Sequence, residues 1–207
     1  MNVDATAKDI QAITVIDRLI GGLSYQFDVN AVTEAGEGGR SASSFVLAKM
    51  PILAPPRPTS KIEVLHETIT STNLIIRFST AMFNTKNGLL TKCALIVCEV
   101  NKNIYGKWVV ESWSNRTVTW GQASKYDIWP NYIAVEKPIE PVRIFLPNFI
   151  SETIGIDNTC KNADPEIICN GPLKPATSYR FKLRIYTAPS LWTETELSEV
   201  AVTKINK

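Results

Sequence analysis

Apolar and polar residues alternate with a period of two along much of this chain. Tyr25, Phe27 and Val29 alternate with Gln26, Asp28 and Asn30. Leu74, Ile76 and Phe78 are spaced by Ile75 and Arg77, and Tyr179, Phe181, Leu183 and Ile185 by Arg180, Lys182 and Arg184. Neighbouring side chains on a strand point to opposite faces, so this pattern predicts half-buried strands of antiparallel sheets. The run Cys93–Val100 predicts a further strand. No stretch carries a capped amphipathic stripe, and a short helical turn around 121–126 is the most helix expected. The chain reads as all-β.

Four prolines between residues 51 and 60 mark a stiff connector, because proline removes backbone donors and favours extended geometry. A domain boundary is placed there. A weak repeat spans it. Leu19 precedes Tyr25 by the same interval as Leu173 precedes Tyr179, and each tyrosine opens an alternating strand that runs to a threonine. A tyrosine so placed is the tyrosine corner of immunoglobulin-like sandwiches, whose hydroxyl bonds back to the upstream backbone. With the Gly-rich stretch after the first copy (34–39), these residues resemble fibronectin type III domains.

Such a sandwich takes about 100 residues. The first copy leaves room for only one earlier strand, at 12–16, so residues 1–50 are expected to be the C-terminal half of a fibronectin type III domain. Residues 51–207 are expected to be a complete copy carrying a long insertion at about 101–169. Residues 1–10 contain Asp4, Lys8 and Asp9 without an apolar run, and no signal peptide is expected there.

Composition mainly excludes. The chain has 207 residues, 44% of them hydrophobic, and a net charge of +2, which gives no case for a nucleic-acid partner. His66 is the single histidine, so histidine-based acid–base catalysis and zinc sites lack their usual groups. Neither a metal nor a cofactor is expected. The longest apolar run is far shorter than the roughly 18 residues of a membrane span.

The insertion holds Trp108, Trp113, Trp120 and Trp129. Trp120 and Trp129 are candidates for a ligand platform, since tryptophan dominates interface hot spots. The competing and preferred reading is that a long insertion buries its own small aromatic core.

A sharper resemblance lies in the Trp120…Tyr126-x-x-Trp129-Pro-x-Tyr132 run, followed by Ile154-Gly155…Cys160…Cys169-Asn-Gly-Pro-Leu173. This pattern is similar to the membrane-proximal fibronectin type III region of receptor-type protein tyrosine phosphatases, the vascular-endothelial and density-enhanced types and their insect neural relatives. The resemblance covers about 51–207. It implies a non-catalytic extracellular piece of a single-pass membrane protein, acting in ligand binding, adhesion or as a membrane-proximal spacer in signalling. Its partner would be a cell-surface or extracellular protein, and the membrane would enter only through a parent anchor outside these residues. The phosphatase signature, His-Cys followed after five residues by Arg, is missing, because no cysteine here follows a histidine. This chain is therefore expected not to be an enzyme.

In that extracellular setting Cys160 and Cys169 enclose a small loop that a disulfide can close. Cys93 and Cys98 lie on opposite faces of one strand and cannot bond each other without breaking it; their pairing stays open. Asn115-Arg-Thr117 is a glycosylation acceptor pattern, and Asn158-Thr-Cys160 is a rare variant of it.

Arg180, Lys182 and Arg184 form a candidate binding stripe for an acidic glycan or protein, the corresponding first-copy positions being Gln26, Asp28 and Asn30. The preferred alternative is internal pairing with Glu194 and Glu196 on the next strand. The rival functional class is a cytokine-type receptor or adhesion ectodomain without a phosphatase. It is ranked lower, because Trp113-Ser-Asn-Arg-Thr117 lacks the second tryptophan of that family's Trp-Ser-x-Trp-Ser motif.

Overall fold

The computed structural model describes residues 13–30, 32–38, 45–102, 106–110, 117–139 and 148–206, with the side chains of 108–110 left aside. Two units follow one another. In the first, β1 (Ser24–Phe27) pairs antiparallel with β4 (Val46–Lys49), and β2 (Val32–Thr33) pairs with β3 (Gly36–Glu37). Tyr25 lies opposite Ala48 and Phe27 opposite Val46, so these four share one face. No other sheet covers that face among the described residues, and Val29, Val46 and Leu47 stand exposed. Residues 13–16, expected as an earlier strand from residue 12, form no ladder among the described residues; Ile13, Val15 and Ile16 are exposed.

The second unit contains β5 (Glu63–Leu65), β6 (Leu74–Ser79), β7 (Lys92–Lys102), β8 (Trp108–Val110), β9 (Val118–Thr119), α1 (Trp120–Ala123), β10 (Tyr132–Pro138), β11 (Phe149–Ile154), β12 (Ser178–Ala188), β13 (Leu191–Glu194) and β14 (Ala201–Val202). One sheet runs β11-β6-β5; the other runs β13-β12-β7-β10-β9, with β14 also on β12 and β8 also on β7. The chain leaves the small sheet for β7 and β10, returns for β11, and crosses again to β12. That connectivity is a Greek-key sandwich of the immunoglobulin and fibronectin type III class.

The alternation seen in the sequence builds its core. Leu74, Ile76 and Phe78 of β6 and Ile154 of β11 form one cluster with Tyr179, Phe181, Leu183 and Ile185 of β12, Leu95 and Val97 of β7 and Tyr132 of β10. All of these side chains are buried. Area removed from water at about 25 cal/mol per Å2 makes such a core the main stabilising term.

The stretch 101–169 is not one appended block. It contains β10 and β11, which are members of the two sheets. The extra length divides into an excursion at 103–131 and a crossover at 155–177. The reason lies in strand direction: β7 and β11 both end at the same pole of the sandwich, so both lengthened connections emerge there. We call this the distal pole.

The proximal pole carries the first unit. Gly21 donates its N–H to the Lys86 carbonyl at 3.1 Å, and Leu53 to that of Asn87 at 3.0 Å. The Thr187 hydroxyl donates to the Leu53 carbonyl at 2.7 Å. A Cβ on Gly21 would lie 2.3 Å from the Asn87 oxygen, so only glycine allows this approach. The proline-rich connector is thus docked on the sandwich.

Candidate functional site

Both repeat tyrosines bond to the backbone five residues upstream. The Tyr25 hydroxyl accepts from the Ile20 N–H at 2.7 Å, and the Tyr179 hydroxyl from the Lys174 N–H at 3.0 Å. Tyr179 is fully buried, and burial raises its hydroxyl pKa; Tyr25 is half-buried.

At the distal pole, excursion and crossover are joined into one assembly. The helical turn α1 opens with a capping box: Thr119 accepts from the Gln122 N–H, and the Gln122 side chain accepts from the Thr119 N–H. The Thr119 hydroxyl also donates to the Pro165 carbonyl, and the Gln122 amide donates to Glu166 at 2.8 Å. Cys160 and Cys169 form a disulfide, with Cα atoms 5.8 Å apart, that closes the crossover loop.

The Cys-Asn-Gly-Pro-Leu run makes a defined contact at each position. The Asn170 side chain accepts from the Gly155 N–H at 2.8 Å and donates to the Thr153 carbonyl at 2.7 Å. Gly171 lies against the Trp120 indole, where an added Cβ would sit 2.2 Å from the ring. The Pro172 carbonyl accepts from the Trp120 Nε1 at 3.1 Å. Leu173 is buried in the core, and its N–H donates to the Thr72 carbonyl at 2.8 Å.

Trp120 and Trp129 are therefore core residues. Each is 6% exposed, and they meet edge to face with centroids 6.0 Å apart. Trp129 extends the cluster to Tyr132 at 5.7 Å and to Tyr179 at 6.5 Å. Trp113 lies outside the described residues, as does the side chain of Trp108.

Beneath Trp129 lies the pair Glu99–Lys174, at 2.6 Å. Glu99 is buried and also accepts the Trp129 N–H at 2.9 Å. Lys174 donates to the Asp127 carbonyl at 2.6 Å and stands 5.2 Å from the Trp129 ring centroid. This ion pair ties β7, the excursion and the crossover at one point. Sequence reasoning missed it, although the signal was there: Glu99 is a lone acid inside an apolar strand, at an inward position with Leu95 and Val97. The Tyr132 hydroxyl nearby is buried without a hydrogen-bond partner.

The cation stripe is largely paired, though not in the expected way. Lys182 and Arg184 both bind Glu194, at 2.5 and 2.7 Å, while Glu196 pairs with Arg57 at 2.5 Å. β13 stops at Glu194; beyond it the Thr195 N–H donates to the Leu183 carbonyl. Glu196 thus leaves the register that would have set it beside the stripe. Arg184 also covers the Trp192 ring at 4.2 Å and donates to Thr117. The Arg180 Nε is buried without a partner.

Cys93 and Cys98 are free thiols, pushed up to about 11 and about 12 chiefly by burial. Cys93 lines a cavity of about 220 Å3 between the sheets, with Phe78, Phe83, Leu95, Val135 and Ile150. Asp157, Cys160 and Cys169 lie close enough to hold a metal, but the disulfide removes both thiolates. His66 is exposed, 4.0 Å from Glu199. Asn115 lies outside the described residues, and Asn158 is exposed at the start of a short 3-10 turn.

Comparison with known proteins finds one matching family and related proteins. The family described as the transmembrane-proximal region of protein tyrosine phosphatase, receptor type J, matches residues 78–206. Phosphatidylinositol phosphatase PTPRQ of Rattus norvegicus is 30% identical over 200 residues, covering 92% of this chain and 8% of the relative. The protein of that name from Homo sapiens is 28% identical over 196 residues, covering 90% of this chain and again 8% of the relative. The chain thus spans a small part of the curated relatives it matches. A crystal structure of domains from titin aligns at a TM-score of 0.35 and 12% identity, over 78% of this chain and 36% of that one, too distant to argue from.

Proposed function

The chain belongs to the transmembrane-proximal family of receptor-type protein tyrosine phosphatases, and from that premise we propose that it serves as a rigid, non-catalytic extracellular spacer next to the membrane. The observation that carries this reading is the inward use of its aromatic residues. Trp120, Trp129, Tyr132 and Tyr179 form one buried cluster, and the Glu99–Lys174 pair bolts two long connections to the sandwich through it. A ligand platform would turn such rings outward; here they brace the pole. In this reading the phosphatase activity in the relatives' name belongs to a domain outside this chain.

An acidic-glycan partner for Arg180, Lys182 and Arg184 has less support, since two of the three cations are held by Glu194. The test is a domain exchange in the full-length receptor. Residues 61–206 are replaced by an unrelated sandwich of equal length, and surface delivery and ligand-triggered signalling are measured. A spacer role predicts that both persist. Loss of signalling with delivery intact overturns it in favour of a specific ligand. Retention on heparin at physiological salt, lost in R180A/K182A/R184A, would show the glycan reading instead.

A further inference from the structure

The strands converge on a surface whose occupant follows from its position and chemistry. β7 and β11 end at the distal pole, and so does β14, the last strand. Lys204 donates its N–H to the Thr70 carbonyl at 2.9 Å, and Ala176 to that of Lys204 at 3.2 Å, so residues 203–206 lie against the base of the crossover. A polypeptide continuing from β14 toward an anchor departs from this pole.

The loops here carry exposed aliphatic and aromatic side chains. Ile156, Ile167 and Ile205 are 61%, 58% and 77% exposed; Ile168, Tyr126 and Ile128 are exposed too. They stand on a stiff support. The disulfide closes the loop bearing Ile167 and Ile168, while the α1 capping box and the Gln122–Glu166 bond fix the turn before Tyr126. Exposed apolar groups held rigidly cost little ordering entropy when they are covered.

Building on the membrane-proximal reading above, we propose that the distal pole rests on the lipid surface, inserting these side chains among zwitterionic headgroups. Isoleucines partition toward the acyl boundary, and tyrosine favours the interface. Lys125, Lys161 and Lys204 are exposed at the same pole, where their stems reach past the apolar tips to headgroup phosphates. Asp127, Asp164 and Glu166 are exposed there as well, which leaves no strong positive field and favours a zwitterionic over an anionic surface. The described residues 117–131 of the excursion and 155–177 of the crossover, together at one end, become a foot that holds the sandwich upright.

The full chain, tethered through a C-terminal hexahistidine to phosphatidylcholine vesicles containing a little nickel-chelating lipid, tests this. An environment-sensitive fluorophore is placed at Ile167→Cys or, on the proximal pole, at Leu89→Cys, 64% exposed. The native thiols Cys93 and Cys98 are protonated at the labelling pH. The Ile167 label is expected to shift to the blue and to be quenched by brominated phosphatidylcholine several-fold more than the Leu89 label. Ile156→Asn together with Ile168→Asn should remove most of that difference, with far-UV circular dichroism unchanged. Equal quenching at the two poles overturns the proposal and leaves the spacer reading standing. Contact that requires anionic lipid overturns the zwitterionic assignment. Failure of the domain exchange would refute the spacer without touching this result.

Discussion

Tyr25 and Tyr179 make the same bond in unlike surroundings. Each hydroxyl accepts the N–H five residues upstream, but Tyr179 has an opposing sheet over it and, among the described residues, Tyr25 does not. The contrast separates two contributions that a folded domain usually merges. The corner is local chemistry, written in a leucine, a turn and a tyrosine, and it forms in both copies here. Burial is not local. It depends on β5, β6 and β11 arriving from elsewhere in the chain, and no such strands stand over β1 and β4 among the described residues. Ladder bonds with one face open to water make only a marginal element, since isolated two-stranded hairpins are scarcely stable.

The contrast can be sharpened by perturbing the second unit, where all five tryptophans lie, so that intrinsic fluorescence reports on it alone. The largest effect is expected for Lys174→Met, which leaves Glu99 buried without its cation. Breaking such a pair costs about 3–5 kcal/mol, read as a fall in the urea midpoint. Replacing Cys160 and Cys169 by serine frees the crossover loop. The loop-closure relation gives a loss of about 2–3 kcal/mol, which should match the shift seen on reduction.

Tyr179→Phe strands the Lys174 N–H inside the protein and should cost about 1–3 kcal/mol. Tyr25→Phe, the same change on the other side of the comparison, should leave the fluorescence transition unmoved. Tyr132→Phe is expected to be neutral or slightly stabilising, because its buried hydroxyl has no partner to lose. A large loss there would mean that the hydroxyl is satisfied in solution.

Much of the fold was legible in the sequence, because period-two alternation and corner tyrosines are local signals. Leu74–Phe78 and Tyr179–Ile185 buried the faces that their parity indicated. The distal pole was legible in part. Its motif residues stood out, but the role of Gly171 depends on the Trp120 ring, which comes from 51 residues earlier. The partner of Glu99 is separated from it by 75 positions, and no local pattern links the two. Glu194, not Glu196, took the cations because β13 ends at Glu194, two residues short of Glu196. Such outcomes depend on tertiary register, which composition and spacing do not encode.

Amide hydrogen exchange on the intact chain, resolved to single residues, tests the central contrast most directly. Amides of Tyr25–Phe27 and Leu47–Lys49 are expected to exchange near the rates of open chain. Those of Ile75–Phe78 and Phe181–Ile185 should be slowed by about a thousandfold or more, as expected for groups that open only with global unfolding. Comparable protection in both sets would contradict it, showing that the face of Tyr25 and Phe27 is covered in solution and that the two units are equals.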